Sequence, residues 1–560
     1  MDRKLFLSRL EQEVLIFSGV LGELKRSGLL TTHSPPEKLS IEMPHLLFDA
    51  FRKYIKAGVD ILIATTSGAN RANLNLYGLS DKTREINLNG INVAKQAAGG
   101  RAWVAGAVGP IFRHKAPFDE MAFNDVLDLF REQVVALCEG KPDLLILDNF
   151  TNIREMKAAL VAISENFEGA VVSLLKFEQN GITRNGIDLF SAINTLDLID
   201  FDVFGINIAN MTHLDARDDL SIRFCRKPLL FSFDSFIEEI KNQKSKVDEM
   251  LKRSTVLLLE QGFAIIGGID EITPAQVTEI ALLSKHQKPT KSISRKRTNL
   301  ASRLKSIYIE PEFPHVYIGD LSVSGANIEA GTWQNSELKA ELFKNAFNFV
   351  QSGIDVIKLD FSEFRGDEIP ILQNTIAAIQ DELDVVFYIE SSNFDAIKAG
   401  LQSVEGKPVV KLSGADENDL TLVYPLVKQY GAVLIFELPK PECNDRQFAA
   451  CESLIHRVRA MAADAGLPEN NVFFECYFQG ETDFSIRAAA ILDFITFLQS
   501  RFSLKIVLEL TRAFEDVSYN TCDLNKFIQR AHSRGLALTV LTSMDLGLLH
   551  SVGLCNQTTS

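Results

Sequence analysis

Short runs rich in Val, Ile, Leu and Phe alternate along the chain with longer stretches whose apolar positions recur at helical spacing. A strand covered by helices on both faces reads as a continuous apolar run, so this alternation is the signature of a buried parallel sheet. Eight such runs occupy the first half, at 14–19, 59–66, 102–109, 144–150, 170–177, 203–209, 228–233 and 263–268. Eight more occupy the second, at 316–321, 355–361, 385–391, 408–414, 432–438, 472–477, 505–511 and 537–544. Many end in Gly, Ser, Asn or Asp, which suit the loops leaving the C-terminal ends of barrel strands. The pattern predicts an α/β protein of two tandem (βα)8 TIM-type barrels.

Between the two sets, residues 285–309 contain no acid and eight bases, Lys285, Lys288, Lys291, Arg295, Lys296, Arg297, Arg303 and Lys305. Such a run reads as a solvated connection lying against acidic domains. The expected division is a first barrel over 1–284, a basic linker over 285–306 and a second barrel over 307–560. Limited trypsin digestion should release two stable fragments of similar mass early, because the linker is rich in cleavage sites and poor in apolar residues. A ladder of small pieces without halves would contradict the division.

Composition narrows the function classes. The 560 residues carry 58 Lys+Arg against 73 Asp+Glu, a formal net charge of −15, which argues against nonspecific nucleic-acid binding. A hydrophobic content of 46% supports packed cores and excludes wholesale disorder. The seven cysteines (Cys138, Cys225, Cys443, Cys451, Cys476, Cys522, Cys555) are scattered without a CxxC, against both a disulfide framework and a zinc knuckle. The apolar run from Val14 to Leu21 follows Glu11 and Glu13 and is far short of the roughly 18 residues of a bilayer span. A cytoplasmic protein with no membrane partner is expected.

The segments Val14-Leu-Ile-Phe-Ser-Gly-Val-Leu-Gly22, Ala64-Thr-Thr-Ser-Gly-Ala-Asn-Arg71, Ala105-Gly-Ala-Val-Gly-Pro110, Gly205-Ile-Asn207 and Gly267-Gly-Ile-Asp-Glu-Ile-Thr-Pro274 resemble, in order and spacing, the homocysteine S-methyltransferase family. The resemblance implies a zinc ion on three cysteine thiolates that presents the homocysteine thiol as a thiolate. One ligand follows the Gly-x-Asn of strand six, and two sit in a Gly-Gly-Cys-Cys-Gly turn after strand eight. Here those positions are Ile208, Ile269 and Asp270, so zinc is not expected. A substitute site from Cys225, His213 and Asp270 is disfavoured against a buried Cys and a surface His. The family's first-strand Asp-Gly-Ala-Met-Gly-Thr is Ser18-Gly-Val-Leu-Gly-Glu23, and its acid after strand four falls at Asp148. Asp148 and Asn207 are the substrate-binding candidates the resemblance supplies in this half.

The second half is similar to the pterin-binding barrels of cobalamin-dependent methionine synthases through Ile318-Gly-Asp320, Ile389-Glu-Ser-Ser392, Ala399-Gly-Leu401, Lys428-Gln-Tyr-Gly-Ala432 and Gly466-Leu-Pro468. The resemblance implies a tetrahydrofolate cofactor in the barrel mouth. Strand alternation turns Asp320, Lys358, Asp360, Glu390, Lys411, Glu437, Glu475 and Glu509 inward near the C-terminal ends of seven strands. The family's Asp-Ser-Ser is Glu390-Ser391-Ser392, its Asp-Pro is Glu475-Cys476, its Asp-x-Asn is Lys358-Leu-Asp360, and two asparagines are Lys411 and Arg512. Asp320, Asp360, Glu390, Lys411, Glu475 and Arg512 are therefore the candidates for binding a small-molecule ligand. The rival reading is an internal network in which Lys358 and Lys411 offset the carboxylates, since an unpaired buried charge costs several kcal/mol.

No Asp-x-His-x-x-Gly corrinoid motif occurs, so corrinoid chemistry would need a separate corrinoid protein as partner. Two functions stay open. One is a diverged methyltransferase of one-carbon metabolism and methionine biosynthesis that does without zinc, although a thiol of pKa roughly 8.5 is only a few per cent thiolate at neutral pH. The other is a catalytically inactive two-barrel sensor or scaffold for a corrinoid or methionine-cycle partner. A hydrolase or lyase lacks a nucleophile–base pair.

Overall fold

The computed structural model describes residues 3–30, 34–111, 121–214, 225–241, 247–290, 297–310, 312–322, 336–362, 367–439, 445–476, 482–514 and 517–542. The chain divides into two compact units, Met1–Ile193 with Asp200–Arg295, and Lys296–Ser560 with Asn194–Ile199.

Each unit contains a closed barrel of eight parallel strands. In the first, β1 (Leu15–Ser18), β2 (Ile61–Ile63), β3 (Trp103–Val108), β4 (Leu144–Phe150), β5 (Ala170–Lys176), β6 (Val203–Asn207), β7 (Leu229–Ser232) and β8 (Ile265–Gly268) pair in order. Closure is made by β1 against β8, with Leu15 opposite Ile265 and Ser18 opposite Gly268. Inside, alternate strand residues such as Leu15, Phe17, Ile61, Ile63, Leu144 and Ile146 form one cluster, joined by Phe6 and Leu10 of the helix Arg3–Leu10. Each of those two buried side chains contributes roughly 1.5–3 kcal/mol.

The surrounding helices follow from sequence rules. Pro44–Ala57 buries Leu47, Ala50, Phe51, Tyr54 and Ile55, a stripe at three- and four-residue spacing, and stops at Gly58, whose φ of 99° is left-handed. Pro274–Ser284 starts with a capping box between Thr273 and Gln276 and a proline in its first turn.

The second barrel runs β11 (Val316–Asp320), β12 (Val356–Asp360), β13 (Val386–Ser391), β14 (Val409–Leu412), β15 (Val433–Glu437), β16 (Val472–Cys476), β17 (Ile506–Glu509) and β18 (Leu536–Leu541). Fifteen of the sixteen apolar runs contain a strand, and the last overlaps β18, which starts one residue earlier. Several strands are shorter than their run, and at the mouth a side chain can take the place of the ladder. After β2, for example, the Thr66 hydroxyl donates to the Ala107 carbonyl at 2.8 Å and accepts from its N–H at 3.0 Å. Tyr477 and residues 543–544 of the expected runs lie outside the described residues.

The linker expectation needs correction in its second half. Residues 285–288 are exposed, and 291–296 lie outside the described residues. From Thr298, however, the chain is built into the second unit. β9 (Asn299–Ala301) and β10 (Ser306–Tyr308) form an antiparallel hairpin, and Leu300 joins the interior cluster of the second barrel. Ala301 also bridges Lys407, whose ammonium donates to Asn299 Oδ1 at 3.0 Å. Basic composition suggested solvation, but one leucine and the backbone pairing outweigh it. Lys305 still reaches an acid, Asp355, at 2.7 Å. Among the described residues no helix is long and apolar enough to cross a membrane.

Candidate functional site

Period-two alternation brings the charged residues at the ends of β11 to β17 into one cluster at the mouth of the second barrel. Lys358 Nζ lies 3.0 Å from Glu390 Oε2, 3.1 Å from Glu509 Oε2 and 3.4 Å from Asp320 Oδ2. Lys411 Nζ lies 2.5 Å from Glu475 Oε2 and 3.0 Å from both Glu390 Oε1 and Glu437 Oε2. Glu390 is thus the bridge between the two lysines. It also accepts from the Tyr388 hydroxyl at 3.2 Å and the Ser413 hydroxyl at 2.6 Å. Arg512, in the short helix Leu510–Ala513, reaches Glu437 at 3.3 Å and Glu509 at 3.6 Å.

The cluster has a floor and a rim. The side chains of Lys358, Glu390, Lys411 and Glu475 are 3, 0, 1 and 2% exposed, while Glu437 and Arg512 are 35 and 40% exposed. Asp320 and Glu509 lie between. Of the residues expected to hold a ligand, Glu390, Lys411 and Glu475 are therefore the buried floor, and Arg512 belongs to the rim. Asp360 turns to its own loop, accepting from the Ser362 N–H at 3.0 Å and hydroxyl at 2.6 Å.

Among the described residues five carboxylates meet three cations here, and burial and neighbouring charge drive their proton affinities apart. Burial pushes Glu390 up, but Lys358, Lys411 and the Ser413 hydroxyl more than reverse this and hold its carboxyl well below the usual range. Glu475 goes the other way: burial raises it, Lys411 opposes, and Glu390 and Glu509 reinforce the rise. Its Oε1 is buried without a hydrogen-bond partner among the described residues. Both lysines stay above their ordinary value, because burial, which lowers them, is outweighed by the surrounding carboxylates.

The first barrel's mouth is built differently. Ile208 and Ile269 are 0 and 4% exposed, and the turn after β8 is gripped by the buried carboxylate of Asp234, just beyond β7. Asp234 Oδ2 accepts from the Ile269 N–H at 2.7 Å and the Ser232 hydroxyl at 2.8 Å. Its Oδ1 accepts from the N–H groups of Asp270 at 2.9 Å and Glu271 at 2.8 Å. Burial, with the nearby Asp270 charge, pushes Asp234 up to about 6 in spite of these donors. The glycines after β1 fit against this turn: a Cβ on Gly22 would stand 2.0 Å from the Asp270 carbonyl oxygen.

Asp148 is buried in β4. Asn207, at the end of β6, donates to Asn149 Oδ1 at 2.7 Å and accepts from the Ser235 N–H at 3.0 Å. Asn149 holds a left-handed φ of 58°. His213 Nε2 lies 3.0 Å from the Gln179 carbonyl oxygen, and Cys225 is buried. No group of three or more His, Cys, Asp or Glu able to hold a metal ion occurs among the described residues. Isoleucine has no lone pair, so the residues at the zinc positions do not fit the metal.

Sequence reasoning missed three contributors. Tyr388 and Ser413 lie two residues from Glu390 and Lys411 and share their inward faces, so period two could have found them. Asp234 has no such signal, since it acts on backbone N–H groups far along the chain.

The first barrel coincides with a sequence family. Residues 15–283 match the family model described as Homocysteine S-methyltransferase. The first barrel is methyltransferase-like. Among solved structures, the metallated homocysteine methyltransferase MmuM of Escherichia coli aligns at 17% identity over 49% of this chain and 96% of its own, with TM-score 0.39. The 7,8-dihydropteroate synthase of Vibrio fischeri aligns at 13% identity over 47% of this chain and 100% of its own, with TM-score 0.36.

Proposed function

We propose that this chain is a diverged methyltransferase-like protein of one-carbon metabolism that does not carry out zinc-dependent homocysteine methylation, and that it keeps a small-molecule site at the mouth of the second barrel. The observation behind the first part is the pair Ile208 and Ile269, buried where two zinc thiolates would be needed. Metal analysis after purification without added zinc should give well under one equivalent, and methyl transfer to homocysteine should not respond to zinc. Near-stoichiometric zinc lost on mutating Asp270 or Cys225 would overturn it.

A tetrahydrofolate is the ligand proposed for the second mouth, where its one-carbon-substituted form would supply the unit transferred. The donor set suits it. Asp320, Glu437 and Glu509 offer acceptors to the N–H edge of a pterin, and Arg512 suits an anionic glutamate tail. Loss of one charged hydrogen bond costs roughly 1.5–3 kcal/mol, about tenfold or more in affinity. Calorimetry should therefore find tetrahydrofolate binding in the wild type and at least tenfold weaker binding in Arg512→Ala. A second reading, the inactive sensor or scaffold, is favoured by the saturation of Lys358 and Lys411, each facing three carboxylates. It prevails if the wild type binds no tetrahydrofolate and Glu475→Gln alters only thermal stability.

A further inference from the structure

The three carboxylates around Lys411 match the chemistry of one ammonium group. An ammonium has three N–H donors, and Lys411 Nζ has three carboxylate oxygens at 2.5, 3.0 and 3.0 Å, from β16, β13 and β15. The cage has acceptor capacity left over, since Glu475 Oε1 is buried and without a partner among the described residues. It also has a way in, because Glu437 alone of the three carboxylates is substantially exposed.

We propose that the floor of this mouth is a carboxylate site for primary amines, filled in this chain by the tethered ammonium of its own Lys411. Tethering gives the lysine an effective concentration in the millimolar range or above, so an amine from solvent competes poorly while the side chain is present. Glu437, shared between Lys411 and Arg512, is the carboxylate an entering amine meets first. The site takes Glu390 and Glu475 from the floor and Glu437 from the rim, and it does not require that a tetrahydrofolate bind there.

The test removes the internal ligand and supplies it from outside. Lys411→Ala deletes three carbons and the ammonium, the size of n-propylammonium, and leaves Glu390, Glu437 and Glu475 with one lysine fewer. The melting temperature of full-length Lys411→Ala should climb with n-propylammonium chloride and stay flat with equal tetramethylammonium chloride, which has no N–H to donate. Wild type and Lys411→Met, whose side chains still fill the space, should respond to neither salt. If Lys411→Ala is recovered only unfolded, refolding yield gives the same comparison: recovery with propylammonium alone supports the site. Equal effects of the two salts, an equal response in the wild type, or no effect of propylammonium would each overturn it. Tetrahydrofolate binding by the wild type is a separate measurement, so either idea can fail without the other.

Discussion

Glu390→Gln should destabilise the second barrel by roughly 3–5 kcal/mol, the cost of removing one partner from a buried ion-pair network. Among the described residues Glu390 is the one carboxylate that touches both lysines and two hydroxyls, and its side chain is inaccessible to water. An amide cannot balance Lys358 and Lys411, and its NH2 would face donors. For a domain of this size the loss corresponds to a fall of roughly 6–20 °C in melting temperature. The pH dependence follows from the same contacts. Because the folded-state value is depressed, the unfolded chain binds more protons as pH falls. The stability due to Glu390 is present above the unfolded carboxylate value of roughly 4.3 and is lost below it. Glu475 has the opposite sign. Its folded-state value is raised, so its contribution is present below that unfolded value and declines as pH rises. Glu475→Gln should therefore cost only about 1–2 kcal/mol and less at higher pH. Equal losses in the two variants, measured by denaturant unfolding at several pH values, would refute this division of roles.

Asp234→Ala should cost the first barrel roughly 3–5 kcal/mol, since it leaves the N–H groups of Ile269, Asp270 and Glu271 and the Ser232 hydroxyl without their acceptor. The Ile269 site is buried, so water cannot take the place of the carboxylate there without opening the turn. Asp234→Asn should cost about half as much, because the amide keeps one acceptor but points two donors at the same N–H groups. The turn is held on its other side by Gly19 and Gly22, where a Cβ would stand within 3 Å of the turn. A loss below about 1 kcal/mol in Asp234→Ala would show that the turn is held by those contacts instead.

How far the site was readable differs from residue to residue. The inward set on β11 to β17 was legible because the side-chain period of a strand is two and the barrel's apolar face must meet the helices. The choice between Glu390 and Arg512 as residues that a ligand could touch was not legible. It depends on how deep each strand end sits and on the reach of two lysine stems. The linker misled at 298–306 because its bases describe solubility, whereas Leu300 and the pairing of β9 with β10 describe where the backbone goes.

By itself the sequence determined the two barrels and their sixteen strands. These depend on local period and on the chemistry of single residue types. Only the tertiary structure decided that Lys358 and Lys411 each face three carboxylates, that Glu475 keeps an oxygen without a partner, and that Asp234 clamps the 269–271 turn. The reason is physical. Coulomb energy and hydrogen bonding fall steeply with distance and misalignment, and the distances between residues on different strands are set by barrel closure and not by their separation along the chain.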